Sequence, residues 1–349
     1  MEAELGFAGA WVVLRDGAAE ARRRPAFLDE VTSRSSAFPR GRAGLGLCAF
    51  AKWKIVMAMK FGQLTVRAGN IGDDLQSLAA CQHLPVRSTV FVDRDMIHRD
   101  SRSDRGAGPT AVIMNGWFSG NAEAWPPAPS IHPIFVGFHV IDRFKPAVER
   151  HADYLKAFEP IGVRDAATGQ FLEALGIKTE TTYCLTLTFP RREQAPVAGR
   201  VFIVDAEHIA IPKSLRRGAI KMTHSVPPLG PEATLQFAQM LLAMYRDQAS
   251  LVITTRLHTA LPCLAMGIPV VFFGTPTDGR TSIVKDIGGT IYEQRLHAKS
   301  LGRGMLGRAL DQVDWAPAPL DLSAVKTRLA QAVAERMRGI GGGLALAAG

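Results

Sequence analysis

The chain has 349 residues, 47% hydrophobic and 21% charged, with 41 basic against 32 acidic side chains and a net charge of +9. These proportions exclude extended disorder over most of the chain, and the length points to about two domains. Four scattered cysteines without a CxxC pair (Cys48, Cys81, Cys184, Cys263) and no run of ~18 apolar residues set aside a disulfide framework, structural zinc and a membrane span; a cytoplasmic protein with anionic partners is expected.

Residues 1–58 contain Arg22, Arg23 and Arg24 in a row, a Ser/Arg/Pro/Gly stretch at 33–44 and no period of 2 or 3.6. They read as a poorly ordered extension, or as the product of an upstream start with the working protein beginning near Met57 or Met59. A basic arm for a membrane surface or a partner is the other reading. The acidic opening MEAEL and its short apolar run are not a secretory signal.

From residue 59 on, short apolar or β-branched runs alternate with helical stretches. Strands are expected at 61–66, 89–93, 111–115, 134–141, 160–164, 201–205, 220–224, 251–255 and 270–273, several apolar throughout, as strands covered on both faces are. Helices are expected from Gly72 to about His83, over 168–175 with a stop at Gly176, and over 232–246. The last has Pro231 at its first position and a stripe of Leu235, Ala238, Leu241, Leu242 and Tyr245. This alternation predicts two α/β domains with largely parallel sheets and a cleft between them, joined near 190–199. The domains are 59–195 and 196–318, and 319–349 is a C-terminal helix with a Gly/Ala tail.

The segment at 250–274, SLVITTRLHTALPCLAMGIPVVFFG, is the most informative. A buried strand is followed at its carboxyl end by Arg256, Leu257 and His258, and then by a two-turn helix over 259–266. Pro262 is expected in its opening turn, and Gly267 with Pro269 at its stop. Open α/β sheets bind ligands at that edge, and a helix start attracts anions. Arginine supplies a fork for carboxylate or phosphate, and histidine a proton near neutral pH. The alternative is that Arg256 caps a carbonyl and His258 is a satisfied buried imidazole.

Five segments stand in order along the chain: GNIGDD at 69–74, NGW at 115–117, PIGVRDAAT at 160–168, CLTLT at 184–188 (expected as a strand) and RLHTALPCLAMGIPV at 256–270. With them, residues from about Met59 to Arg280 resemble the polysaccharide pyruvyl transferase family. The resemblance implies a GT-B-like pair of Rossmann-like domains. It also implies transfer of a pyruvyl group from phosphoenolpyruvate to two hydroxyls of a sugar, in a surface polysaccharide or its precursor, as a cyclic ketal. The N-terminal domain would take the acceptor and the C-terminal domain the donor.

Such a reaction needs cations around a small molecule bearing carboxylate and phosphate, and an acid for the methylene carbon. His258 is assigned as general acid or phosphate partner. Arg256, the Leu257 and His258 N–H groups and Arg164 are expected on the donor, with Arg280 a weaker candidate. Asn70, Asp73, Asp74 and Asn115 are candidates for the acceptor; helix capping or the holding of a turn explains them as well. His139 and His224 form a second tier, each as readily a structural histidine. Arg191, Arg192 and the run RDSRSDR at 99–105 read as solvated loops, or as contacts to an anionic lipid carrier bearing the acceptor at the membrane periphery. No metal-ligand spacing occurs, so no cofactor is expected besides phosphoenolpyruvate as donor substrate. The rivals are a GT-B nucleotide-sugar glycosyltransferase, a non-catalytic protein of polysaccharide assembly and a nucleic-acid binder; the dispersal of the basic residues speaks against the last.

Overall fold

A computed structural model describes residues 59–67, 69–85, 90–99, 109–118, 121–227, 229–275, 277–293 and 310–343. The expectations for 1–58, for most of the run at 99–105 and for the Gly/Ala tail fall outside these residues. The described residues belong to one compact unit by their contacts, and they form a mixed α/β fold with three parallel sheets, as the alternation predicts.

The first sheet has the order β2-β1-β3-β5, with β1 Lys60–Thr65, β2 Val90–Asp93, β3 Thr110–Ile113 and β5 Ile131–Ile134. The second has the order β4-β6-β7-β8, with β4 Gly116–Trp117, β6 Phe138–His139, β7 Ile161–Val163 and β8 Thr179–Thr181. The third has the order β10-β9-β11-β12-β13, with β9 Arg200–Val204, β10 Ile220–Met222, β11 Ala249–Thr254, β12 Val270–Gly274 and β13 Ile291–Glu293. Every strand pair is parallel. The five longer helices are α1 Ile71–Cys81, α2 Ala166–Ala174, α3 Pro231–Gln248, α4 Leu257–Ala265 and α5 Ser323–Gly343.

The apolar strands of the third sheet are continuous because both faces are covered. Phe202, Val204, Val252 and Phe272 enter one core, and Ile203, Leu251, Ile253, Val271 and Phe273 enter another. The first of these cores also takes Met59, Phe61, Ile134 and Val136 from the first sheet and its surroundings, Ile71 and Leu75 of α1, and Leu329 and Val333 of α5. A third core joins the first two sheets through a ring cluster of Trp125, Phe135, Phe138 and Phe144. Each fully buried Leu, Val or Phe contributes ~1.5–3 kcal/mol.

Four expectations change. The single strand at 134–141 is two strands in different sheets. Gly137, at φ +73, breaks the run, and a Cβ there would fall 2.3 Å from the Asn115 side-chain oxygen. The segment at 184–188 is a short 3-10 turn, Leu185–Thr188, rather than a strand. One tertiary and one local bond hold it: Leu185 N–H donates to Asn115 Oδ1 at 3.1 Å, and the Thr188 hydroxyl donates to the Leu185 carbonyl at 2.7 Å. Arg191 and Arg192 are not simply solvated, since they donate to the carbonyls of Leu320 and Ala249. Finally, α4 starts at Leu257, so Pro262 lies inside it, and His258 takes the non-helical pair φ −85, ψ 15. The two facts are one, because a proline ring crowds the carbonyl four residues earlier, which here belongs to His258. Among the described residues no helix is long and apolar enough to cross a membrane.

Candidate functional site

The carboxyl ends of sheets two and three and the starts of α1 and α4 surround a cavity of about 580 Å³. Among the described residues its walls carry four arginines (Arg143, Arg164, Arg256, Arg280), three histidines (His139, His224, His258) and one carboxylate, Asp73. That balance selects an anionic ligand. Residues 69–71 fasten one side to the third sheet's connections: Ile71 N–H donates to the His224 carbonyl at 3.0 Å and Val226 N–H to the Gly69 carbonyl at 2.8 Å. Gly69 sits at φ +34, and a Cβ there would meet the Val226 carbonyl oxygen at 2.5 Å. Gly69→Ala is therefore expected to cost ~1–3 kcal/mol, seen as a lower urea midpoint; an unchanged midpoint would show that the fastening is not rigid.

Arg256 precedes α4 and is held from two sides. Its Nε donates to Asp205 Oδ2 at 2.8 Å and its Nη2 to Ser225 Oγ at 2.9 Å. Asp205 follows β9 in the left-handed region, at φ +51, and also accepts from the His224 N–H at 3.0 Å. Burial opposes its ionisation, but Thr223, the His224 N–H and Arg256 outweigh burial and hold the carboxyl below its usual range. No described residue engages Arg256 Nη1 or accepts from the Leu257 and His258 N–H groups. A fixed guanidinium and two free amides at a helix start thus face one space.

Arg164 follows β7. It is 2% exposed, its nearest carboxylate oxygen lies 3.5 Å from Nε, and that Nε makes no hydrogen bond. A buried guanidinium so thinly partnered is costly unless a ligand completes it. Arg280 also lines the cavity, more exposed and paired to Asp278 at 2.7 Å.

The three histidines differ. His224 is spent: Nε2 meets Tyr245 Oη at 2.8 Å and Nδ1 meets Thr259 Oγ1 at 3.1 Å, which makes it a structural ring. His258 is half-buried and 4.0 Å from Cys184 Sγ. Burial, then Arg164, His139 and His224, push its pKa well below the usual value, so these surroundings hold it neutral. His139 lies against Asp165, which also caps α2 by accepting from Thr168 N–H at 3.0 Å.

Of the residues expected on the acceptor, Asn70 caps α1, accepting from Gly72 N–H at 3.3 Å, and lines the cavity with Asp73. Asp73 accepts from Trp117 Nε1 at 3.1 Å and pairs with Arg94 at 3.3 Å, and the Arg94 guanidinium lies 4.4 Å over the Trp117 ring. Two expected acceptor residues are not among the lining. Asp74 is buried, with its pKa raised to about 7 by burial and by Asp73. Asn115 is consumed as a joint, donating to the Gln76 carbonyl at 3.1 Å and accepting from Leu185 N–H. The residues that sequence reasoning missed are Asp205, Ser225, Asp165, Arg94, Arg143 and Trp117. An Asp-x-x-Thr cap at 165–168 was readable for one of them.

No curated protein matches the chain. Among solved structures, a functionally uncharacterised protein of Klebsiella pneumoniae aligns with 14% identity and a TM-score of 0.42, over 71% of this chain and 97% of that one. The family model described as polysaccharide pyruvyl transferase matches residues 70–276, more than half of the chain and the stretch that contributes nearly all of the cavity. By that match the chain belongs to the polysaccharide pyruvyl transferase family.

Proposed function

We propose that the protein transfers a pyruvyl group from phosphoenolpyruvate to two hydroxyls of one sugar, giving a cyclic ketal and phosphate. The observation that carries this is the cavity itself, with four arginines against one carboxylate and the thinly partnered Arg164 buried in its wall. Phosphoenolpyruvate puts a carboxylate and a phosphate on a three-carbon frame, so it needs cations from more than one direction. Arg164 and Arg256 supply two forks, the Leu257 and His258 amides supply neutral donors, and Arg280 closes the outer side. Asn70, Asp73 and the Trp117 indole present the polar and aromatic surface that a sugar ring takes. The acceptor is a saccharide of a surface polysaccharide or its lipid-linked precursor, met at the membrane periphery.

In this reading the methylene carbon of the donor gains a proton from His258, positive charge develops at C2, and an acceptor hydroxyl adds there. The arginines hold the charge of the carboxylate and of the departing phosphate. His258 is neutral in these surroundings, so the donor's own negative charge must draw in the proton that it then delivers.

Calorimetric titration with phosphoenolpyruvate tests the donor assignment. Wild type should saturate, and Arg256→Ala should weaken binding by about 30-fold or more, because it removes a fork and leaves Asp205 facing the anion unpaired (~2–5 kcal/mol). At a hundredfold excess over Kd the donor should also stabilise wild type by ~2.7 kcal/mol in thermal melts. If neither form responds while a nucleotide sugar stabilises both, the protein is a glycosyltransferase instead.

A further inference from the structure

His139 carries chemistry that the donor assignment leaves unused. It is 4% exposed and lines the cavity, and its Nε2, itself buried, has no partner among the described residues. Its other nitrogen, Nδ1, shares a hydrogen bond with Thr168 Oγ1 at 3.1 Å and lies 2.6 Å from Asp165 Oδ2, a close charge contact in which that oxygen makes no hydrogen bond. The Thr168 hydroxyl donates its own hydrogen to Asp165 Oδ1 at 3.0 Å, and its oxygen accepts from Val140 N–H at 3.2 Å. Asp165 is wholly buried and ionised. Burial opposes that charge, but His139 and Arg164 outweigh burial and bring the pKa down to about 2. Nδ1 therefore faces only acceptors and must hold the ring's hydrogen, which leaves a lone pair on Nε2. Burial and the nearby Arg164, with Arg280 beyond, keep the ring from taking a second proton and lower its pKa to about 4.

We propose that His139 is the base that takes the proton of the attacking sugar hydroxyl at Nε2, and that Asp165 is the positioning residue that fixes its tautomer. The proposal rests on the pyruvyl-transfer reading and adds to it a second proton-handling group, opposite in role to His258. The step balances as follows. The hydroxyl O–H bond breaks and its proton passes to Nε2, while the oxygen bonds C2 of the donor. The C2–C3 π pair takes a proton from His258 to make the methyl group. The C2–O bond to phosphate then breaks, the electron pair leaves on phosphate, and His139 returns its proton to that phosphate. The second hydroxyl closes on C2 and its proton restores His258. The donor's negative charge beside Arg164 and Arg280 makes the ring basic enough to serve once the donor is bound.

Asp165→Asn tests the claim, and because Asp165 Oδ2 is also the carboxylate oxygen nearest Arg164, donor affinity is read beside turnover. The amide oxygen keeps the α2 cap on Thr168, since asparagine caps as well as aspartate. Its NH₂ now points a donor at Nδ1, so the ring hydrogen must move to Nε2 and the base is lost. Three readouts are needed: imidazole nitrogen NMR of His139, calorimetric affinity for phosphoenolpyruvate, and phosphate release from it with a panel of methyl hexopyranosides. Expected are an Nδ1–H ring in wild type and an Nε2–H ring in the variant. The kcat should fall by ~10²–10⁴, far more than donor affinity or KM changes. His139→Gln, which removes the ring but not the fold, should show the same fall. An Asp165→Asn enzyme that keeps turnover within about fivefold, or a wild-type ring protonated at Nε2, overturns the base role alone. Wild type that releases no phosphate with any sugar of the panel, its Nδ1–H ring intact, overturns the pyruvyl-transfer reading and the base role with it.

Discussion

His258→Ala is expected to lower turnover of phosphoenolpyruvate by ~10²–10⁴ and to diminish markedly a proton uptake that accompanies donor binding in wild type. Both follow from one conflict. A general acid must carry a proton, yet burial and the cationic surroundings of Arg164, His139 and His224 keep His258 neutral. Filling the site with a multiply charged anion reverses the local field, and the imidazole pKa rises toward or past neutrality. Calorimetry at pH 7.5 in two buffers of different ionisation enthalpy counts the protons. Wild type should take up a substantial fraction of one, and His258→Ala markedly less. Because Arg164 and Arg256 remain, donor affinity in the variant should change much less than kcat. A variant with full turnover, or a wild-type enthalpy that does not depend on buffer, would remove His258 from the acid role.

Asp74→Asn is expected to stabilise the protein, and more at pH 8 than at pH 5. Asp74 is buried beside Asp73 at the start of α1, and burial followed by that neighbour raises its carboxyl from 3.8 to about 7. The sign follows from linkage. Between those two values the folded chain binds a proton that the unfolded chain has released, so stability falls as pH rises through the window. Above pH 7 the native state holds an unfavourable charge that asparagine never has. A shift of that size corresponds to at most ~4 kcal/mol, and relaxation around the site leaves ~1–3, or roughly 2–10 °C in Tm. At pH 5 the gain should shrink by more than half. Since Asp74 does not line the cavity, donor affinity should stay within about threefold. Equal melting temperatures at both pH values would show that Asp74 reaches solvent or an unseen partner.

The strands of the third sheet were legible because both faces are buried, so Val201–Val204, Leu251–Ile253 and Val270–Phe273 read as unbroken apolar runs. The same cue misleads at 134–141, where an apolar run crosses from one sheet to another and only the backbone of Gly137 marks the break. β4 and β8 are two and three residues long, too short to show a period. In the site, Arg164, Arg256, Arg280 and His258 stood out because their residue types and strand-end positions declare them. What holds them did not stand out. Asp205 meets Arg256 from 51 positions away, and Asp165 meets His139 from 26. Such partners are chosen by topology, and no local pattern encodes a distance that only the folded sheets create. His224 shows the opposite case: its strand-end position is cavity-side, yet Tyr245 and Thr259 take both ring nitrogens.

Helix α5 has a consequence for how the chain comes together on the ribosome. Leu329, Val333 and Ile340 enter the core that also holds Phe61, Ile134 and Leu187, while Lys326 Nζ donates to the carbonyls of Phe189 and Ala265, one from each side of the 190–199 connection. During synthesis, the described residues that line the cavity have therefore emerged before the helix that packs beneath them. Until then the apolar side chains that α5 packs against lack its cover, so a chain ending before Ser323 is expected to expose them.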